Sequence, residues 1–160
     1  VHSFARAASI ANLVNPALTV WALLVLWRTL RQARARGEEG QAASFGRTLG
    51  VWLGAVLLVF VVAHANRWGH LWHGHKYFPS GHAAYASCVA TLGWARQRRS
   101  IFFTAPLILL YSLLMVRLGY HVWLDIIGAL AFAPLLTWLV LSRFSPPSAT
   151  PASDPETVRA

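Results

Sequence analysis

The chain has 160 residues, with 14 Lys+Arg against 5 Asp+Glu, 56% hydrophobic residues and 12% charged residues, and that share of charge is about half what a soluble domain carries. This balance excludes a disordered chain and argues against a soluble globule. The single cysteine, Cys88, excludes an internal disulfide and a cysteine-based zinc site.

A net charge of +9 would suit nucleic acid as a basic face on a soluble fold, but here the cations punctuate long apolar runs, so a membrane and not a nucleic acid is the expected partner. Runs at 7–27, 48–65, 82–95, 101–117 and 122–142 approach the roughly 20 apolar residues that a spanning helix needs. The third is short and spans only with its flanks. The first is too long for the apolar part of a signal peptide and reads as a true span, with Pro16 as a kink. The expected fold is an all-α polytopic transmembrane helical bundle of about five spans, occupying residues 1–144. Residues 145–160, rich in Ser and Pro, read as a disordered cytoplasmic tail.

The loops differ in charge. Arg28, Arg31, Arg34, Arg36, Arg47, Arg96, Arg98, Arg99, Arg143 and Arg159 fall on one side of a five-helix arrangement, and Arg6, Arg67, Lys76 and Arg117 on the other. The positive-inside rule places the first group in the cytoplasm and the 66–81 loop, the 118–121 turn and the N-terminus outside. Small size and Arg-rich loops suit a bacterial cytoplasmic membrane.

The acids locate the chemistry. Glu38, Glu39, Asp154 and Glu156 lie in a loop or the tail, which leaves Asp125 as the acid of a membrane segment. A charge there costs about 2.5–3.5 kcal/mol on insertion scales and marks a candidate site, although pairing with a cation between helices is an alternative reading. Arg117, His121 and Asp125 follow at i, i+4 and i+8. With the last helix starting near Tyr120, one turn separates His121 from Asp125, and the carboxylate orients the imidazole as base or nucleophile. Gly119 permits the tight turn that brings Arg117 to the same face, where it also reads as a snorkelling anchor.

A second cluster, Lys76-Tyr77-Phe78-Pro79-Ser80-Gly81-His82, precedes the third apolar run. Pro79 and Ser80 are helix-start chemistry, and a helix N-terminus beside Lys76 is an anion site. A plain capped helix would leave His82 unexplained, since it lies at the same depth and side as His121. Two imidazoles, a carboxylate and two cations suit phosphoryl transfer, where positioning and charge stabilisation do most of the work.

Pro79-Ser80-Gly81-His82, followed by Gly119-Tyr120-His121-Val122-Trp123-Leu124-Asp125, resembles the type 2 phosphatidic acid phosphatase family, whose pattern is Lys-x6-Arg-Pro, Pro-Ser-Gly-His and Ser-Arg-x5-His-x3-Asp on a six-helix bundle. The resemblance covers residues 66–140 and implies a bundle lacking the family's first helix. Two departures stand out. The family's Ser-Arg falls at Leu114-Met115, with Arg117 two residues later as the substitute, and no Lys-x6-Arg-Pro occurs.

The resemblance implies a metal-independent, cofactor-free lipid phosphatase acting at the outer membrane face. In it His121 attacks phosphorus to form a phosphohistidine, Asp125 stabilises the imidazolium and His82 protonates the leaving oxygen. Lys76, Ser80, Gly81 and Arg117 bind the phosphate. The substrate is an amphiphilic phosphate or diphosphate ester such as phosphatidic acid, phosphatidylglycerophosphate or a polyprenyl diphosphate. Similarity to sphingomyelin-synthase-like relatives keeps phospho-headgroup transfer between lipids as an alternative, and the departures keep a non-catalytic lipid-binding member as another.

Other chemistries are less well supported by the sequence. His64, His70, His73 and His75 could suggest a metal box, but such boxes need more histidines and acidic ligands on several segments. The run reads instead as an interfacial loop with Trp68 and Trp72 in the aromatic belt. A Ser80–histidine protease dyad lacks its Gly-x-Ser-Gly setting, because Phe78 stands at the first glycine position. The small residues Ala83, Ala84, Ser87 and Gly93 are expected to serve close helix approach.

Overall fold

The computed structural model describes residues 2–35, 41–69 and 78–144. They form five α-helices: α1 (His2–Ala35), α2 (Gln41–Gly69), α3 (Gly81–Arg96), α4 (Ile101–Arg117) and α5 (Trp123–Phe144), with a short 3-10 turn at Arg98–Ser100 leading into α4. Four segments are long and apolar enough to cross a membrane: Leu13–Gln32, Phe45–Gly69, Arg98–Arg117 and Trp123–Phe144. The all-helical bundle expected from the apolar runs is therefore the fold. The tail at 145–160 lies outside the described residues, and α1 continues as one helix through Pro16.

Helix α3 is the exception in length. Its 16 residues rise about 24 Å, short of the roughly 30 Å of a hydrocarbon core. It is the centre of the bundle, packed against the other four helices and most extensively against α5, α1 and α2, and its far end reaches Thr48 near the start of α2 through Arg96. Its buried residues run almost without interruption from Ala83 to Gly93 and are mostly small. A helix apolar on every side belongs inside other helices, and small side chains let their backbones come close. Gly93 shows the tolerance, since a Cβ there would lie 2.5 Å from Cζ3 of Trp21.

Several hydroxyls in this interior bond within their own helices. Ser87 Oγ donates to the Ala83 carbonyl at 2.8 Å, Thr91 Oγ1 to Ser87 at 2.7 Å and Thr137 Oγ1 to Ala133 at 2.7 Å, the i−4 pattern that lets hydroxyls sit in an apolar medium. Two contacts tie helices together: Thr19 and Tyr85 share a hydroxyl hydrogen bond of 2.7 Å, and Arg96 Nη2 donates to Thr48 Oγ1 at 2.9 Å. The outer surface is the reverse of a soluble protein's, with Phe102, Leu110, Leu57 and Leu135 all more than 60% exposed. Apolar surface on that scale needs a lipid or protein cover.

The connection from α4 to α5 positions the site. Tyr120 N–H donates to the Met115 carbonyl at 3.1 Å and Gly119 N–H to Val116 at 3.0 Å, while Gly119 has φ +73°. These are the paired bonds of a Schellman cap, which needs a left-handed residue at that glycine. A Cβ on Gly119 would meet nothing within 4 Å, so the cost of adding one is confined to the backbone. Gly119→Ala is expected to destabilise the protein by about 1–2 kcal/mol, with Gly119→Asn closer to the native, as read by thermal unfolding in detergent. An alanine variant as stable as the native would mean that the turn adopts another conformation.

Candidate active site

His121 lies between that turn and α5. Its Nδ1 is 3.3 Å from Asp125 Oδ2, and the same oxygen accepts the Val122 N–H at 3.3 Å. The expectation that both residues share one helical turn needs correcting, because α5 begins at Trp123 and His121 precedes it. Asp125 is the third residue of α5, and its carboxylate reaches back to the Val122 N–H, whose carbonyl accepts from Asp125 N–H at 3.1 Å. This is the return half of a capping box, placed where the helix dipole favours a negative charge. One buried carboxylate thus starts the helix and fixes the imidazole, and Nε2 becomes the ring nitrogen turned away from the acid.

The second histidine arrives on α3. Ser80 is fully buried and caps the helix, its Oγ accepting from Ala83 N–H at 3.3 Å. Its own N–H donates to the Asp125 carbonyl at 3.0 Å, which locks the start of α3 to the start of α5. The Phe78–Pro79 peptide is cis, and Phe78 packs where Gly128 lacks a side chain, 2.7 Å from an added Cβ at its Cζ. His82 follows one residue into α3, with its ring centroid 6.2 Å from that of His121 and the planes at 60°. His82 lies outside the four membrane-length segments. Its pKa is held below the ordinary histidine value, chiefly by burial and then by the charges of His121 and His64.

Both imidazoles face a cavity of about 830 Å³, shared with Asn15, His64, Arg67 and Met115, a size suited to a small-molecule ligand. Asp125 is the one acid among the described residues, set against His64, His82, His121 and Arg67 around this space. Arg67 and the N–H donors of three imidazoles at this space suit an anionic ligand.

The predicted residues thus divide. His82, His121, Gly81 and, behind them, Asp125 come together at the cavity. Ser80 is close but occupied as a buried cap and does not line it. Arg117 ends α4 exposed and is not among the lining residues. Lys76, and His70, His73 and His75 with it, lies outside the described residues.

Three polar contributors, His64, Arg67 and Asn15, lie outside the site expected from the sequence. His64 groups in sequence with the loop histidines and Arg67 with the 66–81 loop, but α2 runs on to Gly69 and carries both to the cavity. Asn15 comes from α1, far away in sequence. The i, i+3 spacing of His64 and Arg67 at the end of an apolar run was the available signal.

The membrane-length helices and the paired histidines with their carboxylate define a helical bundle of membrane type with a histidine-based site at one end. The family model described as the PAP2 superfamily matches residues 63–146, just over half of the sequence and most of the cavity wall, and the chain belongs to that superfamily. Membership implies phosphatase-type or related phosphoryl-transfer chemistry, in agreement with the resemblance carried by the two motifs. Comparison with curated proteins and with solved structures returns no significant match.

Proposed function

We propose that this protein is a membrane phosphatase that hydrolyses a lipid phosphate or diphosphate ester, with its site facing the outside of the membrane. The observation that carries the reading is the carboxylate-oriented His121 facing His82 across the cavity. His121 Nε2 attacks phosphorus, the bond to the lipid oxygen breaks, and His82 delivers a proton to that oxygen. Asp125 stabilises the imidazolium of the phosphohistidine. Water then attacks phosphorus, His82 accepts its proton, and phosphate leaves with His121 restored. These steps call on no metal. The outward orientation rests on the distribution of the cations. Met115, apolar at the position of the family arginine, favours phospho-headgroup transfer to a lipid alcohol as the second reading, with the alcohol replacing water in the second step.

The test is phosphate release from a panel of lipid monophosphates and diphosphates in detergent with EDTA present. Release that survives the chelator is expected. No release from any member by a folded protein would overturn hydrolysis, and transfer to an added lipid alcohol would then be sought.

The pH profile follows from His82. Its lowered pKa means that the proton it donates is fully in place only below the usual histidine range and is lost as pH rises through that lowered value. Turnover of an alkyl phosphate, a poor leaving group, is expected to fall from pH 6 to pH 8 more steeply than turnover of an aryl phosphate, which needs no proton. Parallel profiles for the two would remove His82 as the acid.

A further inference from the structure

The wall of the cavity is apolar at the position of the family arginine. Met115, at the family's arginine position, is 2% exposed and does line the cavity, so the position keeps its place and loses its charge. Arg117, two residues on, does not line the cavity. The last turns of α2 present two basic groups there instead, His64 and Arg67.

Arg67 makes no hydrogen bond or ion pair among the described residues, so nothing described neutralises its charge. His64 is held in place. Its Nδ1 donates to the Phe60 carbonyl at 2.9 Å, and its ring stacks on Phe60 with centroids 4.1 Å apart. Its other edge lies against the N-terminus of α3, where a Cβ on Gly81 would be 3.0 Å from Cε1 and 3.4 Å from Nε2. A side chain at this position would press the ring back by a few tenths of an ångström. A helix N-terminus, a fixed imidazole edge and an unneutralised guanidinium thus face one space beside His82 and His121.

We propose that His64 and Arg67 bind the non-reacting oxygens of the substrate phosphate, replacing from α2 the arginine absent at Met115. The proposal rests on the phosphoryl-transfer reading of the same site. With Nδ1–H committed to Phe60, Nε2 is the nitrogen His64 turns to the ligand, and the permanent charge of Arg67 draws a doubly charged phosphate more strongly than a singly charged one. The clamp therefore selects a phosphate monoester or the terminal phosphate of a diphosphate. A phosphodiester carries one negative charge and is disfavoured.

The test uses the full chain in detergent, with inorganic phosphate as the calorimetric probe and a short-chain diacylglycerol phosphate as substrate. Charge-assisted hydrogen bonds of this kind correspond to about 10–100-fold in affinity. Arg67→Ala is expected to weaken phosphate binding and raise KM by about that factor while lowering kcat by less. His64→Ala should act in the same direction and less strongly. Arg67→Lys should recover most of the loss, and Met115→Arg added to Arg67→Ala should recover part of it by returning a cation to the opposite wall.

Native-like Kd and KM in both alanine variants would overturn the clamp and leave hydrolysis standing. A native protein that turns over no phosphate ester, yet binds phosphate in a manner dependent on Arg67, would overturn hydrolysis and leave the clamp standing.

Discussion

His121→Ala is expected to lower lipid phosphate release by about 10³-fold or more, because it removes the group that makes the bond to phosphorus and leaves, among the described residues, no other nucleophile oriented by a carboxylate. The effect should fall on kcat, since the groups proposed to bind phosphate sit on α2 and α3. The fold should survive. Asp125 Oδ2 keeps its bond to the Val122 N–H, so α5 still starts at the same place. The native protein, quenched during turnover of a radiolabelled substrate, should carry an acid-labile, base-stable phosphoryl group that the variant lacks. Label retained in the variant would move the nucleophile elsewhere, and loss of activity with loss of fold would show in the unfolding profile before any kinetic reading.

Much of this was legible in the sequence because membrane folds state their constraints locally. Apolar runs of a fixed length set the helices, and an isolated Asp125 in such a run could be tolerated only with a purpose. Pro79-Ser80-Gly81-His82 points to a capped helix start and Gly119 to a tight turn between helices, both of which the structure contains. The start of α5 was less legible. Val122, Trp123 and Leu124 give no side-chain cap, and the cap comes from Asp125 reaching backwards, a bond that depends on which residue begins the helix. His64 and Asn15 were hidden for a different reason. Membership of the cavity is decided by how α1 and α2 pack round α3, and one sequence gives the faces of helices more readily than their partners.

The same packing explains why a short helix occupies the middle. Small residues along α3 allow α1, α2 and α5 to approach, so the ends of α2, α3 and α4 meet around one space. Ser80 then bonds to the backbone of Asp125, and the two histidines are held by elements that are tied to each other. A site built in this way has its spacing set by helix packing.

Asp125 separates the two tasks of that arrangement. Asp125→Asn retains an oxygen able to accept from Val122 N–H and from His121 Nδ1–H, and it removes the charge that stabilises the imidazolium of the phosphohistidine. Stability is expected to stay within about 1 kcal/mol of the native, whereas phosphoryl transfer to His121 falls by about 10⁴-fold, in line with the loss seen when the acid of a histidine–carboxylate pair becomes an amide. Asp125→Ala removes the cap as well and should cost a further 1–3 kcal/mol or so, the penalty of a lost hydrogen bond to a charged group. The measurements are thermal unfolding in detergent alongside single-turnover formation of the phosphoenzyme. If asparagine matched the native rate, the carboxylate would be a structural cap alone and the imidazolium would take its stabilisation from another group. If asparagine were as unstable as alanine, the charge itself would hold the start of α5, and the helix dipole would outweigh the hydrogen bond in fixing His121.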